Sequence, residues 1–164
     1  LDLYHAAFEP LEVASPARQS FTDEEFLAQL ASENVVKILA REGEQFSGLV
    51  LIATDLYEVP WISPRYFEAR FPDYCKRGLM YYVTTIFVAD EYKSGATGPV
   101  LMRSLADHAE AAGAGLAFDF CGANVEGGGM PRLAELIGRK RYRRMDFPEL
   151  DAQHYYGLFV EGRR

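Results

Sequence analysis

Met80-Tyr81-Tyr82-Val83-Thr84-Thr85-Ile86-Phe87-Val88, followed by the loop Ala89 to Gly98 and then by Pro99 to Ala112, is the stretch on which the fold turns. Its first part is β-branched and aromatic throughout, apolar enough for the middle of a sheet. From Pro99 the period changes. Leu101, Leu105, Ala109 and Ala112 fall on one helical face, proline suits a first helical turn, and Gly113 and Gly115 end the run. Leu116-Ala117-Phe118-Asp119-Phe120-Cys121 then reads as another strand. A strand reached through a helical crossover lies parallel to its predecessor, so the segment predicts a β-loop-α-β unit.

Upstream, Leu3, Ala6, Ala7 and Leu11 share one face of a helix between Asp2 and Val13, and Pro16 lies beyond its end. Thr22-Asp23-Glu24-Glu25 fits a capping box, with Phe26, Leu27 and Leu30 as the buried face of the helix it starts. Val35 to Leu39 and Gly48 to Ala53 flank the turn Arg41-Glu42-Gly43-Glu44 and read as an antiparallel pair. Glu58 to Arg77 carries Pro60, Pro64 and Pro72 among Trp61, Phe67 and Phe71, which predicts an inserted aromatic loop with a short helix near Arg65 to Arg70. Downstream of Gly127-Gly128-Gly129 a short helix is expected from Pro131 to about Ile137. Tyr155 to Val160 reads as a closing strand.

These elements make an α/β (α+β) fold: a mixed, largely antiparallel central sheet with one parallel pair and flanking helices. A length of 164 residues, 49% of them hydrophobic, suits one domain with a core of its own. No apolar run is long enough for a membrane span and the first residues resemble no signal peptide, so a soluble, cytoplasmic protein without membrane contacts is expected. A net charge of −7 argues against nucleic acid as a partner. The basic run Arg139-Lys140-Arg141-Tyr142-Arg143-Arg144 could grip phosphates or be a solvated helix end that offsets the helix dipole. Cys75 and Cys121 have no spacing that would make a disulfide framework or a metal site, and no metal is expected.

A glycine-containing loop that feeds a helix N-terminus exposes backbone N–H groups able to bind a pyrophosphate, although such loops also occur as plain connections. Here the loop is Lys93-Ser94-Gly95-Ala96-Thr97-Gly98. Two helices, an antiparallel pair, a long strand, this loop and helix, a parallel strand, a short helix and a terminal strand form an order that resembles the GNAT superfamily of N-acetyltransferases. In that family the loop reads Arg/Gln-x-x-Gly-x-Gly/Ala. Lys93 stands in the Arg/Gln position, Ala96 replaces the first glycine, and Gly98 matches the last position.

The resemblance implies acetyl-CoA or another acyl-CoA as co-substrate and direct acyl transfer to a small-molecule or peptide amine. Lys93, Ser94, Gly95, Ala96, Thr97 and Gly98 would hold the pyrophosphate. Ile86, Phe87 and Val88 would orient the thioester between two splayed strands, with an N–H on the developing oxyanion. Asn124 resembles the Asn that follows the second of those strands and contacts the pantetheine arm. The family's own first strand would lie upstream of Leu1. Its thiolate-protonating Tyr lies in Leu-Tyr-x-x-x-Gly-Phe; aligned by the glycine, Leu133 to Arg139 places Ala134 there.

Catalytic candidates are therefore sought elsewhere: Tyr82 on the long strand as a hydrogen-bonding partner for substrate or water, Asp119 between Phe118 and Phe120, and Tyr155 as an acid. Tyr142 and Tyr156 are equivalent alternatives to Tyr155, each also readable as a packed aromatic, and His154 is a further base. Trp61, Tyr66, Phe67, Phe71 and Tyr74 could wall a substrate pocket, cap the sheet or bury themselves in a homodimer. The altered loop and the missing Tyr leave open a non-catalytic acyl-CoA-binding or dimerisation module.

Overall fold

Val35–Glu42 (β1) and Gln45–Ala53 (β2) pair antiparallel around Gly43-Glu44, where Gly43 takes a φ of +61° that a side chain would make costly. In the computed structural model, which describes residues 1–18, 20–126, 130–142, 145–157 and 159, β2 continues into a four-stranded sheet. Met80–Val88 (β3) pairs antiparallel with β2, and Gly115–Ala117 (β4) pairs parallel with β3, giving the order β1-β2-β3-β4. The fold is mixed α/β with one parallel pair at the sheet's end, as the order of elements predicts.

Helices cover both faces. Thr97–Ala112 (α5), the crossover between β3 and β4, sets Leu101, Met102 and Leu105 on Val50, Ile52 and Val83. Met130–Arg141 (α7) adds Ala134 to that layer. On the other face, Asp2–Glu12 (α1) and Asp23–Ala31 (α2) contribute Tyr4 and Phe26, which stack at 4.1 Å over Leu49, Leu51 and Phe87. The Phe21 N–H donates to the buried Tyr4 hydroxyl at 2.5 Å, tying the α1–α2 linker to this layer.

The capping box at α2 forms as the sequence predicts. Thr22 Oγ1 accepts from the Glu25 N–H, and Glu25 reaches back to the Thr22 N–H at 2.8 Å. Thr22→Ala is expected to lower stability by about 1 kcal/mol, read as a drop in the urea midpoint with an unchanged slope.

The insert carries two helices, Pro64–Arg70 (α3) and Pro72–Lys76 (α4), each begun by a proline in its first turn. Phe67 packs with Leu56 and Val59 on Met80, Tyr82 and Ala117, so this segment caps one end of the sheet. Trp61, Tyr66 and Tyr74 remain partly exposed on it.

Several boundaries differ from the sequence reading. α5 begins at Thr97, two residues before Pro99, because a first-turn residue has no intrahelical partner for its N–H and proline forfeits nothing there. β4 is shorter than Leu116 to Cys121: beyond Ala117 the chain leaves β3, and Cys121 accepts the first N–H bonds of a short helix, Gly122–Glu126 (α6). α7 runs past Ile137 to Arg141. Gly138 lies inside it, where a Cβ would come within 1.8 Å of Met145 Sδ.

The expected closing strand is absent from Tyr155 to Gly157, which is irregular and exposed; Leu158 and Val160 lie outside the described residues. A three-residue β4 offers too short an edge for another strand to pair with. In the basic run, Arg139 pairs with Glu135 at 2.7 Å and the Tyr142 hydroxyl donates to Asp107 at 2.8 Å, while Arg143 and Arg144 lie outside the described residues. Among the described residues no helix is long and apolar enough to cross a membrane.

Candidate functional site

The parallel ladder between β3 and β4 stops at Tyr82 and Ala117, so among the described residues β3 from Val83 to Val88 has no partner on this edge. Which groups line that edge follows from alternation. The Ala89 N–H donates to the Ser47 carbonyl at 3.0 Å, so Phe87 and Thr85 turn their backbone toward β2, and Ile86 and Val88 turn theirs away. A bulge opposite Leu51 and Ile52 inserts Thr84 as the extra residue and reverses the alternation set by Tyr81. Ile86 and Val88 are thus on the opening, with side chains against the α5 layer. Phe87 is not: its ring belongs to the α1–α2 layer.

At the far end of this edge the loop meets α5. The N–H groups of Ser94, Ala96, Thr97 and Gly98 make no hydrogen bond among the described residues, while Gly95 donates to the Tyr92 carbonyl at 3.0 Å. Ala96 is the N-cap and supplies no side-chain cap. The surroundings are more acidic than the sequence reading allows for. Lys93 is spent on Asp90, Nζ to Oδ1 at 2.6 Å, and the buried Thr97 hydroxyl donates to Glu42 Oε1 at 3.3 Å. Glu42 therefore places a carboxylate at the positive end of the α5 dipole. It escaped the sequence reading because it lies 55 residues from Thr97, at the β1 hairpin.

Gly98 needs no special backbone: its φ is not positive, and a Cβ there would meet only Val88 Cγ2 at 3.8 Å. A nearby hollow, whose lining includes Leu3, Ala6, Phe46, Ala89, Asp90 and Glu91, lies on the α1 side. The two carboxylates in its lining disfavour a phosphate.

On the α1–α2 face of the opening stand Tyr82 and Asp119, 37 residues apart, with the Tyr82 hydroxyl donating to Asp119 Oδ1. Ala117 pairs in register with Tyr82, and Asp119, two residues on, points to the same face. Tyr82 is 4% exposed, and burial first, then the Asp119 charge and hydrogen bond, push its phenol far above the ordinary value; Trp61 pulls slightly the other way. The phenol keeps its proton at neutral pH and cannot serve as a base. It holds the Asp119 carboxylate in place.

Trp61, edge-on to the Tyr82 ring at 6.4 Å and tilted against Phe21 at 5.3 Å, completes this corner. Asn124 lies in α6, half-buried. Tyr155 is half-exposed, and among the described residues no contact joins it to Tyr82 or Asp119.

The Tyr82 shift carries a pH dependence. Because the folded state holds the phenolic proton more tightly than the unfolded chain, its contribution is complete below about pH 10 and is lost as pH rises above it. Tyr4, raised chiefly by burial, acts in the same direction. Stability is expected to fall above about pH 10, with Tyr82 contributing a slope of up to about 1.4 kcal/mol per pH unit. Tyr82→Phe should flatten that fall, measured by urea unfolding between neutral pH and pH 11.

Comparison of the chain with protein-family models, with curated proteins and with solved structures found no match in any of the three.

Proposed function

We propose that the chain is an acyl-CoA-dependent N-acyltransferase, a divergent relative of the GNAT N-acetyltransferases, which passes its acyl group directly to an amine in the cytoplasm. The observation that carries the reading is the edge of β3, where among the described residues the backbone of Ile86 and Val88 has no partner and the first N–H groups of α5 beside it make no hydrogen bond. An extended amide-containing arm can add to such an edge as a strand does, with its phosphates at the helix end.

The residues present fit that co-substrate. Ser94, Ala96, Thr97 and Gly98 would take the pyrophosphate and Ile86 and Val88 the pantetheine arm, although Glu42 and Asp90 oppose the phosphate charge. The co-substrate supplies a thioester carbonyl. The N–H of Ile86 or Val88 would donate to its oxygen as negative charge develops. The amine attacks in its neutral form to make the C–N bond, the C–S bond breaks to release the CoA thiolate, and the proton lost by the amine passes through water at the opening to that thiolate.

A second reading, an acyl-CoA-binding module without transfer, is favoured by one observation. Ala134, in the position of the family's acidic Tyr, is buried against α5, and the Tyr82 phenol at the opening is already engaged in its hydrogen bond to Asp119. Release of free thiol from acetyl-CoA, followed across a panel of primary amines, separates the two. Amine-dependent release supports the enzyme, and release with no amine in the panel beside intact acetyl-CoA binding supports the module.

A further inference from the structure

We propose that Glu42 sets the specificity for the acyl donor: its carboxylate guards the α5 N-terminus against phosphate, so the chain accepts uncharged acyl-pantetheine thioesters as readily as acetyl-CoA. The inference rests on the acyltransferase reading and narrows it, because the thioester-bearing arm at β3, rather than the nucleotide, is the part of the donor that is recognised.

The hairpin turn at Gly43-Glu44 brings Glu42 and its register partner Gln45 against the loop before α5. Gln45 Oε1 accepts from the Tyr92 hydroxyl at 2.5 Å, and Glu42 Oε1 accepts from the Thr97 hydroxyl at 3.3 Å. The closing pair of the hairpin thus grips the loop at both ends, just before Lys93 and at the first residue of α5. Thr97 is 2% exposed, so the group that holds Glu42 is itself fixed in the core. A carboxylate held at the start of a 16-residue helix is stabilised by the helix dipole, as a bound anion would be. Glu42 therefore takes up part of the attraction that a phosphate would otherwise receive.

Cations do not compensate for it. Lys93 is the one basic residue from Ala89 to Met102, and it is paired with Asp90. Among the described residues Glu42 and Glu91 form no ion pair. Alternation along β1 sends Arg41, which pairs in register with Phe46, to the other face of the sheet. A phosphate on the Thr97 N–H would sit on the residue whose hydroxyl already carries Glu42, so two anions would meet at one helix end.

At β3 the balance is reversed. Among the described residues the backbone of Ile86 and Val88 has no partner, and their side chains lie in the apolar layer against α5. An uncharged, amide-containing arm pairs with such an edge without electrostatic cost. With acetyl-pantetheine as donor the amine makes the same C–N bond, the same C–S bond breaks, and the proton lost by the amine passes to the pantetheine thiolate. The transfer itself needs no phosphate.

Calorimetric titration of the whole chain with acetyl-CoA and with acetyl-pantetheine is expected to give Kd values that agree within about threefold. Glu42→Gln keeps an oxygen for the Thr97 hydroxyl and removes the charge. It is expected to tighten acetyl-CoA binding by about tenfold or more and to leave acetyl-pantetheine unchanged, a difference that a disturbed hairpin would not produce. On the unaltered protein, added sodium chloride is expected to tighten acetyl-CoA binding by screening the two anions, with no effect on acetyl-pantetheine. Acetyl-CoA binding that weakens with salt and is unchanged in Glu42→Gln overturns the role of Glu42. Binding of acetyl-CoA without binding of acetyl-pantetheine overturns the donor class. Either result leaves the acyltransferase reading standing; if neither thioester binds, that reading falls and the donor class with it.

Discussion

Leu101→Ala is expected to lower the unfolding free energy by about 2–5 kcal/mol, toward the upper end of that range. Leu101 has no exposed surface and joins α5 to Val50, Ile52 and Val83 on the sheet. Its Cδ1 lies over Gly48, so close that a Cβ there would approach it at 2.8 Å. Truncating the leucine leaves a void on the one side where the neighbour has no side chain to move in. Relaxation by the backbone is also limited, because Gly48 pairs with both Ala40 and Val88. A domain of this size has a total stability of roughly 5–15 kcal/mol, so the loss is a large part of it. Urea unfolding followed by circular dichroism measures it, with Leu101→Met as a volume-conserving control expected to cost less than about 1.5 kcal/mol. A cost below 1 kcal/mol for the alanine would mean that α5 is not seated on β2 as described.

Gly98→Ala is expected to do the opposite: to leave stability unchanged or raise it by up to about 1 kcal/mol, with acetyl-CoA binding retained, because alanine is an alternative at this position of the loop that the chain resembles. Neither the backbone nor the packing asks for glycine here, since φ is not positive and the new methyl would only touch Val88 Cγ2 at 3.8 Å. Alanine is also the better helix former. Thermal unfolding and calorimetric titration on the same protein read the two effects separately. A destabilised variant would trace the glycine to packing, and a stable variant that no longer binds acetyl-CoA would mean that the Gly98 backbone is approached more closely than alanine allows.

The local signals in the sequence were strong where one element decides its own conformation. The Thr22–Glu25 capping box, the β-branched run Met80 to Val88 and the hairpin at Gly43 each carry their physical cause within a few residues. The crossover also fixed β4 as parallel, because a strand reached through α5 can return only that way. What failed depended on distant partners. Phe118 to Cys121 has strand composition, but a strand exists only where a neighbour offers a ladder, and β3 offers one only as far as Tyr82. Tyr155 to Gly157 met no such edge either.

At the site the same division holds. Tyr82 and Asp119 were each visible as unusual residues on strands, and the structure joins them by a hydrogen bond. Their joining changes the role of Tyr82 from a hydrogen-bonding partner for substrate to the holder of a carboxylate. Trp61 was visible only as one aromatic of an insert. Its place beside Tyr82 depends on how α3 caps the sheet, which no local pattern encodes. Glu42 could not have been foreseen, because its pairing with Thr97 brings a hairpin to a helix end.

Calorimetric titration of the whole chain with acetyl-CoA tests the central claim most directly, since the open edge of β3 and the free N–H groups of α5 are assigned to that one molecule. The expected result is saturable binding at one site per chain with a Kd below about 1 mM, a free energy more favourable than about −4 kcal/mol. No heat of binding at millimolar acetyl-CoA, from protein that unfolds cooperatively, would contradict it.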